Sequence, residues 1–330
     1  MNIIKIIKKI GKGLLVLIAI SLISGFIFEK VSRIKAEKIS PNGNFVQLEN
    51  HRLHYLQKGT GGPTVVFETA FDPAGHLQWL NIQENLPKTF TTISYDRAGV
   101  LWSERGTNPK SGEKIAEELY DLLENAKAPK PYILVGHSLG GTLTRFFVKK
   151  YSADVAGVIL VDSQFPNDQN YLSPKLYEMV NQGLPSGFLK FGNEFGLVRI
   201  MFKNMFPNTE HYKYQNSLMP TLLYKSAYGV LEEQDVMKNI KNEASKINSF
   251  GSIPLFVITA SDKNRFNALI KDEKLKSEML NAWDKMQKEL LIMSTDSKQI
   301  LATNSGHYIN QDQPEIIENA IIEMLKKVTK

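Results

Sequence analysis

One short segment, Gly136-His137-Ser138-Leu139-Gly140-Gly141, places a serine between glycines directly after an apolar run. The run, Tyr132 to Val135, predicts a buried strand, and the residues after the glycines predict a helix. A serine on such a sharp strand-to-helix turn has its hydroxyl exposed above the sheet, and this geometry requires very small neighbours. The N–H of Leu139 can then bind an oxyanion. Ser138 is therefore a candidate nucleophile for acyl transfer.

A nucleophilic serine needs a base, and the chain has six histidines. His307 lies in the segment NSGHYINQDQPE, between the last predicted strand and the last predicted helix, where it could reach Ser138. His51 and His54 lie in a predicted hairpin and are expected at the surface. His137 lies inside the turn and cannot reach round to the neighbouring serine. The sequence therefore favours His307 as the general base.

Strands alternate with helices along most of the chain. The predicted strands are NFVQLEN, HRLHYLQKG, PTVVFETA, FTTISYDRAG, PYILVGHS, VAGVILVDS, IPLFVITAS and KQILAT. Helices are predicted over Ser111 to Ala126, Thr142 to Tyr151 and Pro314 to Val328. Because the middle strands are fully apolar, the pattern predicts a mostly parallel sheet with helices on both faces.

Residues 166–249 interrupt this alternation, since they contain no convincing strand. Their aromatic and apolar residues recur at helical spacing: Phe188, Phe191, Phe195, Val198, Phe202 and Met205. This spacing predicts a helical subdomain with a small core of its own. In function, the same segment is expected to form a lid over a pocket.

Composition and charge narrow the class of protein. The 330 residues have a net charge of +6 and no cysteine, which excludes disulfides, zinc–thiolate sites and thiol catalysis. All of the excess charge lies in residues 1–40, and the remaining 290 residues carry 32 basic and 32 acidic side chains. No basic face is left for phosphates, so a nucleic-acid partner is not expected.

The N-terminal segment has the pattern of a membrane anchor. Gly13 to Phe28 carries no charge, and Lys12 and Lys30 can reach the two membrane interfaces. A cleaved signal peptide is the alternative, but ISGFIFEK lacks small residues at the cleavage position. We therefore predict an anchor and tether over residues 1–40 and a catalytic domain over residues 41–330. The expected location is the cell membrane, with a single N-terminal span and the domain outside the cytoplasm.

Four segments together carry a resemblance to a known family: YDRAG, GHSLGG, VDSQFP and GHYINQDQP. The chain resembles the α/β-hydrolases, and in particular bacterial membrane-anchored or secreted members that carry a YDRAG motif. The resemblance covers about residues 44–328. It implies a mostly parallel sheet of the eight-stranded type, flanked by helices, with a helical lid. It also implies Ser138 as nucleophile and His307 as base.

The resemblance implies an oxyanion hole as well. One donor is the N–H of Leu139, and the other comes from the loop after the third strand. That loop is ETAFD here, so the matching donor is the N–H of Phe71, with Ala70 in the usual glycine position. Leu101 replaces the second glycine of the family's YDRAG-x-G motif. Both departures are expected to narrow the mouth of the pocket.

The acid of the triad has two candidates. The usual family position follows the seventh strand, where TASDK provides Asp262 one residue early. The end of the sixth strand provides Asp162 instead, and relatives with YDRAG often use an acid there. Both keep the chain order serine, acid, histidine. The sequence leaves the choice open.

The expected chemistry is hydrolysis of a carboxylester bond in a small or lipophilic substrate, a small molecule, through an acyl-enzyme. An amidase, an aminopeptidase or an acyltransferase would have the same triad. A non-catalytic protein that binds a small ligand on this fold is the competing class. No cofactor or metal is expected, and the oligomeric state is left open. Asp96 and Arg97 are expected to fix a loop and not to react.

Overall fold

A computed structural model of the chain describes residues 3–106 and 110–329. The described residues form one sheet of eight strands: β1 (Asn44–Gln47), β2 (Arg52–Lys58), β3 (Thr64–Glu68), β4 (Thr92–Tyr95), β5 (Tyr132–His137), β6 (Val155–Val161), β7 (Leu255–Ala260) and β8 (Ser297–Ala302). Their order in the sheet is β1-β2-β4-β3-β5-β6-β7-β8. β1 pairs antiparallel with β2, and β2 with β4, whereas the other neighbouring pairs are parallel.

Helices cover the sheet and precede it. Within the described residues they are α1 (Ile3–Ala36), α2 (Leu80–Asn85), α3 (Gly112–Asn125), α4 (Leu139–Tyr151), α5 (Pro174–Val180), α6 (Ser186–Glu194), α7 (Leu197–Met201), α8 (Lys213–Ala244), α9 (Glu273–Glu289), α10 (Ile309–Asp312) and α11 (Pro314–Val328). The predicted alternation and the mostly parallel sheet are confirmed. α4 begins three residues earlier than predicted, because it starts directly after the turn at Ser138.

The core consists of two layers, one on each face of the sheet. Because side chains alternate along a strand, Leu134 of β5 joins a cluster with α3, α4, α8 and α9. Its neighbours Ile133 and Val135 face the other way and join a cluster with α2 and α11. Burial on both faces explains why these strands are apolar without interruption.

The carboxyl ends of the parallel strands share one edge of the sheet, and the predicted site residues lie there. Ser138 directly follows β5, and Asp162 directly follows β6. His307 lies in the loop between β8 and α10. Three positions far apart in the chain are thus brought to one edge by parallel pairing alone.

The chain between β6 and β7 forms the cap, which we define as residues 166–249. Its regular elements are the helices α5 to α8 and two short 3-10 turns, and the described residues include no strand there, as predicted. The prediction of a separate apolar core is only partly right. Val198 is buried, but Phe188 and Phe191 are 49% and 46% exposed. These two rings lie on the outer side of α6 and not in a core.

α1 precedes the sheet and has two different halves. Residues 5–36 form one helix long and apolar enough to cross a membrane. Most of its apolar side chains are exposed, whereas Glu29 and Ala36 near its end are buried. That buried end packs against the cap.

Candidate active site

Ser138 occupies a strained turn that only small neighbours permit. Its backbone has φ 52° and ψ −118°, a conformation that is costly for a residue with a side chain. A Cβ atom on Gly136 would lie 2.7 Å from the backbone of Gly140, and one on Gly140 would lie 2.4 Å from the carbonyl oxygen of Glu68. The glycines on both sides of the serine are therefore required by close packing. Ser138 itself is partly exposed.

His307 pairs with Asp162. The Nδ1 atom of His307 lies 2.7 Å from Oδ2 of Asp162. The other carboxylate oxygen, Oδ1, accepts hydrogen bonds from the backbone N–H of Ala260 at 3.0 Å and from Nε1 of Trp283 at 2.9 Å. The carboxylate is buried, and the side chain of His307 is 35% exposed.

The second candidate acid, Asp262, has different partners. Its Oδ1 accepts a hydrogen bond from the backbone N–H of Asn264, two residues later in the same loop. Its own N–H donates to the carbonyl oxygen of Ser305. Among the described residues, His307 is paired with Asp162 and not with Asp262. The structure therefore brings Ser138, His307 and Asp162 to one edge and leaves Asp262 in a turn.

His137 holds the loop that carries His307. Its Nε2 lies 2.8 Å from the carbonyl oxygen of His307, so the ring must donate a proton there. Burial lowers the pKa of His137 to about 3, with a further lowering from nearby His307. The ring is therefore neutral at physiological pH. The sequence indicated only that His137 cannot reach the serine, and it gave no signal of this contact across 170 residues.

The expected oxyanion donors lie in the loop after β3 and at the start of α4. Within the described part of the chain, the N–H groups of Phe71 and Leu139 donate no hydrogen bond. The N–H of Ala70 is 3.3 Å from Oε1 of Gln78. Because the N–H groups of Phe71 and Leu139 are not used within the described residues, both are available as the donors that an oxyanion hole requires.

Arg97 binds the loop after β3 through its guanidinium group. Its Nη1 donates to Oε1 of Glu68 at 2.8 Å, and to the carbonyl oxygen and Oγ1 of Thr69 at 2.8 and 2.7 Å. Its Nη2 donates to the carbonyl oxygen of Ala70 at 2.7 Å. Nη2 and Nε also donate to the carboxylate of Glu233 on α8. As expected from the sequence, Arg97 fixes a loop, and it also joins that loop to the cap.

The charges around Arg97 are almost entirely buried. Burial alone would raise the pKa of Glu233, but Arg97 and Lys110 outweigh burial and hold that pKa below its ordinary value. For Glu68, burial is the larger influence, and it raises the pKa despite Arg97 and a hydrogen bond from Tyr95. Arg97 therefore offsets the cost of burying the carboxylate of Glu233, but only part of that cost for Glu68.

Leu101 stands at the position where the family motif has a glycine. Its φ is +44°, in the left-handed region that glycine adopts most easily. The side chain is 2% exposed, in a cluster that joins the loop after β3 to the cap. Its N–H donates to Oγ of Ser226 on α8.

A second histidine–carboxylate cluster lies beside the site. Nδ1 of His54 lies 2.8 Å from Oδ2 of Asp96, and Nδ1 of His76 lies 2.8 Å from Oδ1 of the same carboxylate. The expectation that His51 and His54 lie at the surface is wrong, since both are buried. His54 packs under Trp102 and against His76. The sequence gave no signal of this cluster, because its members come from three separate elements.

The composition of this cluster is that of a metal site, but its distances are those of hydrogen bonds. The ligand atoms of His54, His76 and Asp96 lie within 4.8 Å of one another. Two ligand atoms on one tetrahedral zinc ion, each about 2.1 Å from it, would lie roughly 3.4 Å apart. The 2.8 Å separations fit N–H···O contacts instead. The cluster is thus a buried ionic network.

Residues 61–315 match the family model described as alpha/beta hydrolase fold. The match covers more than half of the chain, so the chain belongs to the α/β-hydrolase family. It is similar to the uncharacterized protein YqjL of Bacillus subtilis, with 22% identity over 276 residues, 83% of this chain and 87% of that protein. It is also similar to the human monoacylglycerol lipase ABHD6, with 23% identity over 303 residues, 86% of this chain and 82% of that one.

Solved structures show the same fold. The Cif epoxide hydrolase from Acinetobacter nosocomialis superimposes with a TM-score of 0.65 at 17% identity, over 91% of this chain and 96% of that one. A thermophilic esterase from Thermogutta terrifontis gives a TM-score of 0.60 at 20% identity, over 87% and 100% of the two chains. The family and these neighbours together support a hydrolase.

Proposed function

We propose that the chain is a membrane-anchored serine hydrolase that cleaves a carboxylester bond of a small or lipophilic substrate. The observation that carries this proposal is the 2.7 Å contact between Nδ1 of His307 and Asp162, at the edge of the sheet that bears Ser138. A carboxylate in this position fixes the imidazole tautomer that leaves Nε2 free to accept a proton. Among the described residues, Nε2 of His307 has no hydrogen-bond partner.

In the proposed mechanism, Nε2 of His307 takes the proton of Ser138 as Oγ attacks the carbonyl carbon of the ester. The resulting imidazolium is stabilised by the Asp162 carboxylate. His307 then returns the proton to the leaving alkoxide, and an acyl group stays on Ser138. Water, deprotonated by His307, attacks the carbonyl carbon of this acyl group. The bond to Oγ of Ser138 then breaks, His307 returns the proton to Oγ, and the carboxylic acid leaves.

In this scheme the N–H groups of Leu139 and Phe71 donate hydrogen bonds to the carbonyl oxygen and stabilise the negative charge that develops on it. Removal of one such donor typically costs about 10²- to 10³-fold in rate. The position of Phe71 depends on the loop that Arg97 binds, so Arg97 is a positioning residue in the proposal. Asp162 takes the role of the acid because it pairs with His307, whereas Asp262 caps a turn.

The proposal retains the predicted division of the chain. Residues 1–40 form a single-pass anchor and tether, and residues 41–330 form the catalytic domain on the outer side of the cell membrane. Residues 166–249 form the lid. The apolar helix over residues 5–36 supports the anchor. The contacts of Arg97 with both the loop after β3 and Glu233 support a lid that lies over the site.

Other activities use the same groups. An amidase, aminopeptidase or acyltransferase would form the same acyl-enzyme, with a different leaving group or acceptor. An epoxide hydrolase, which the fold neighbours include, would be expected to have an aspartate in place of Ser138. A non-catalytic ligand-binding protein would not need a histidine held by a buried carboxylate.

The test is an assay of the full-length protein in detergent with p-nitrophenyl esters, from acetate to dodecanoate. The corresponding anilides and an aryl epoxide are assayed in parallel. We expect ester hydrolysis that falls by more than about 10³-fold in Ser138→Ala. Mass spectrometry of a slowly deacylating substrate should find the acyl group on Ser138.

Ser163→Ala is the matched control, because Ser163 is a buried serine near the same edge of the sheet. We expect the control to retain wild-type activity within a few-fold. Hydrolysis of the epoxide alone would contradict the proposal, and so would ester hydrolysis that persists in Ser138→Ala. Absence of all three activities in a folded protein that is stabilised by a ligand would favour the binding protein.

A further inference from the structure

The cap carries a group of exposed apolar side chains on two neighbouring helices and the segment before them. They lie on α6, α7 and the segment before α6, and we call them the cap apolar surface: Leu184, Phe188, Phe191, Leu197, Ile200 and Met201. Their exposed fractions run from 37% to 62%. Phe188 and Phe191 are three residues apart on α6 and therefore share one face of the helix. Clustered exposure of this kind marks an interaction site.

This surface is continuous with the apolar part of α1. The rings of Phe26 and Phe195 have centroids 6.0 Å apart, and those of Phe195 and Phe191 are 4.4 Å apart. Phe26 lies inside the uncharged stretch Gly13 to Phe28. If that stretch lies in a bilayer, Phe195 lies at the membrane boundary, and Phe191 lies directly beside it.

Ionic contacts join the cap to the last turns of α1. Glu29 is buried and pairs with Arg199 of α7 through both carboxylate oxygens, at 3.0 Å each. Arg33 donates to the carboxylate of Glu194 and, at 2.6 Å, to the carbonyl oxygen of Asn193. Because both α6 and α7 are held by the last turns of α1, the cap cannot turn away from the membrane without breaking these contacts, of which the Glu29–Arg199 pair is largely buried.

The charges around the surface fit a phospholipid interface. Between residues 184 and 206, Arg199 and the one acidic residue, Glu194, are paired with side chains of α1, which leaves Lys190 and Lys203 as the remaining charges. Lys190 and Lys203 are exposed. Aromatic and aliphatic side chains next to lysines are typical of helices that lie in the headgroup region, where basic residues are attracted to anionic lipids.

We propose that the cap apolar surface inserts into the headgroup–acyl boundary of the bilayer that α1 crosses. The proposal rests on membrane insertion of α1 and not on the hydrolytic chemistry. The domain is then held with its cap on the membrane, and an ester dissolved in the lipid reaches the cap without passing through water. A second copy of the chain is disfavoured as the occupant, because the surface adjoins a helix segment that itself lies in lipid.

The chain contains no cysteine, so single cysteines can report on local depth without further changes. Full-length Phe188→Cys and Ile200→Cys carry a bimane label in vesicles of phosphatidylcholine and phosphatidylglycerol. A nitroxide on the lipid headgroup or shallow on the acyl chain quenches fluorophores at the boundary. Leu17→Cys in α1 is the positive control, quenched by a deep nitroxide. Leu269→Cys and Ile292→Cys are matched controls, because both native side chains are exposed but lie on either side of α9.

We expect quenching of the labels at 188 and 200 to exceed that at 269 and 292 by at least about threefold. Equal quenching at all four positions, with deep quenching at 17, would overturn the proposal while leaving the anchor intact. Loss of quenching at 17 as well would contradict the membrane anchorage on which the inference rests. Disulfide crosslinking between copies of unlabelled Phe188→Cys, with no lipid quenching of the labelled protein, would assign the surface to a dimer instead. None of these outcomes depends on catalysis, so a failure of the proposed hydrolase remains separately visible.

Discussion

Two histidine–aspartate assemblies lie on the same side of this molecule. Both are held by the same type of hydrogen bond, between Nδ1 of a histidine and an aspartate carboxylate. In one, Nδ1 of His307 lies 2.7 Å from Asp162. In the other, Nδ1 of His54 and Nδ1 of His76 each lie 2.8 Å from Asp96. The distances are nearly equal, so hydrogen-bond length does not distinguish the two.

Exposure and the second ring nitrogen do distinguish them. The His307 side chain is 35% exposed, while those of His54 and His76 are 0% and 2% exposed. Nε2 of His54 already faces the carbonyl oxygen of Asn42 at 3.0 Å. An imidazole between a carboxylate and a carbonyl has no lone pair for a substrate, whereas His307 keeps one. In the proposed function, the pair of His307 and Asp162 is therefore reactive, whereas the pair of His54 and Asp96 is a buried clamp.

The largest expected effect comes from breaking the exposed assembly. Asp162→Asn keeps the shape of the side chain but no longer fixes the tautomer of His307, so we expect kcat for ester hydrolysis to fall by about 10⁴-fold. Its melting temperature should change much less than its activity. Asp262→Asn is the control and should keep kcat within about threefold, since Asp262 only caps a turn. A large loss in Asp262→Asn instead would assign the acid to that residue.

Breaking the buried assembly should act on stability. Burial would raise the pKa of Asp96, but His76 and His54 outweigh burial and keep that pKa well below its ordinary value. The carboxylate is therefore charged at neutral pH. Asp96→Asn should lower the free energy of unfolding by about 3–5 kcal/mol, the usual cost of removing one partner of a buried ion pair. Chemical denaturation measures this loss, and a change below about 1 kcal/mol would refute a clamp role.

A smaller effect is expected from the group that orients Asp162. Trp283→Phe removes one of two N–H donors to Oδ1, so we expect kcat to fall by about tenfold, on the order of 1.4 kcal/mol. The acid limb of the pH–rate profile should move to higher pH, because a less stabilised carboxylate attracts the imidazolium more strongly. Trp102→Phe is the control beside the Asp96 cluster, where the indole N–H has no acceptor among the described residues. An unchanged profile in Trp283→Phe would contradict the orienting role.

The smallest effect concerns a third histidine–carboxylate pair, in which Nε2 of His51 lies 3.5 Å from Glu118 without a hydrogen bond. Burial raises the pKa of Glu118 to about 7. A carboxyl whose pKa is higher in the folded chain costs stability as pH rises from its unfolded pKa to its folded pKa. Glu118→Gln should therefore raise stability by on the order of 1 kcal/mol at pH 8, or about 2 °C in Tm. The gain should vanish near pH 4, and a stability loss at pH 8 would show that the charged form is favoured.

Sequence reasoning succeeded where local pattern and chain order decide the structure. Two local features predicted that Ser138 and His307 lie at one edge of a parallel sheet. They are the apolar run before Ser138 and the position of His307 between the last strand and the last helix. The choice between Asp162 and Asp262 needed more. The pairing of His307 with Asp162 joins residues 145 positions apart in the chain, and no local pattern encodes such a contact.

The buried charges escaped prediction for a similar reason. His54 lies in a hairpin of polar and apolar residues, and only the pairing of β2 with β4 brings it to Asp96. The cap aromatics show the opposite error. The spacing of Phe188 and Phe191 predicted a helix, which is confirmed, but spacing does not tell whether the apolar face meets a protein core or another apolar phase.

The most direct test of the account is labelling by a fluorophosphonate, which reacts preferentially with an activated serine. The full-length wild type, His307→Gln and His76→Gln are labelled at equal concentrations of folded protein, and the modified residue is located by mass spectrometry. The account predicts one label, on Ser138, at a rate that falls by at least about 10³-fold in His307→Gln and stays within a few-fold of wild type in His76→Gln. Labelling that is lost in His76→Gln but retained in His307→Gln would show that the assignment of the two assemblies is reversed.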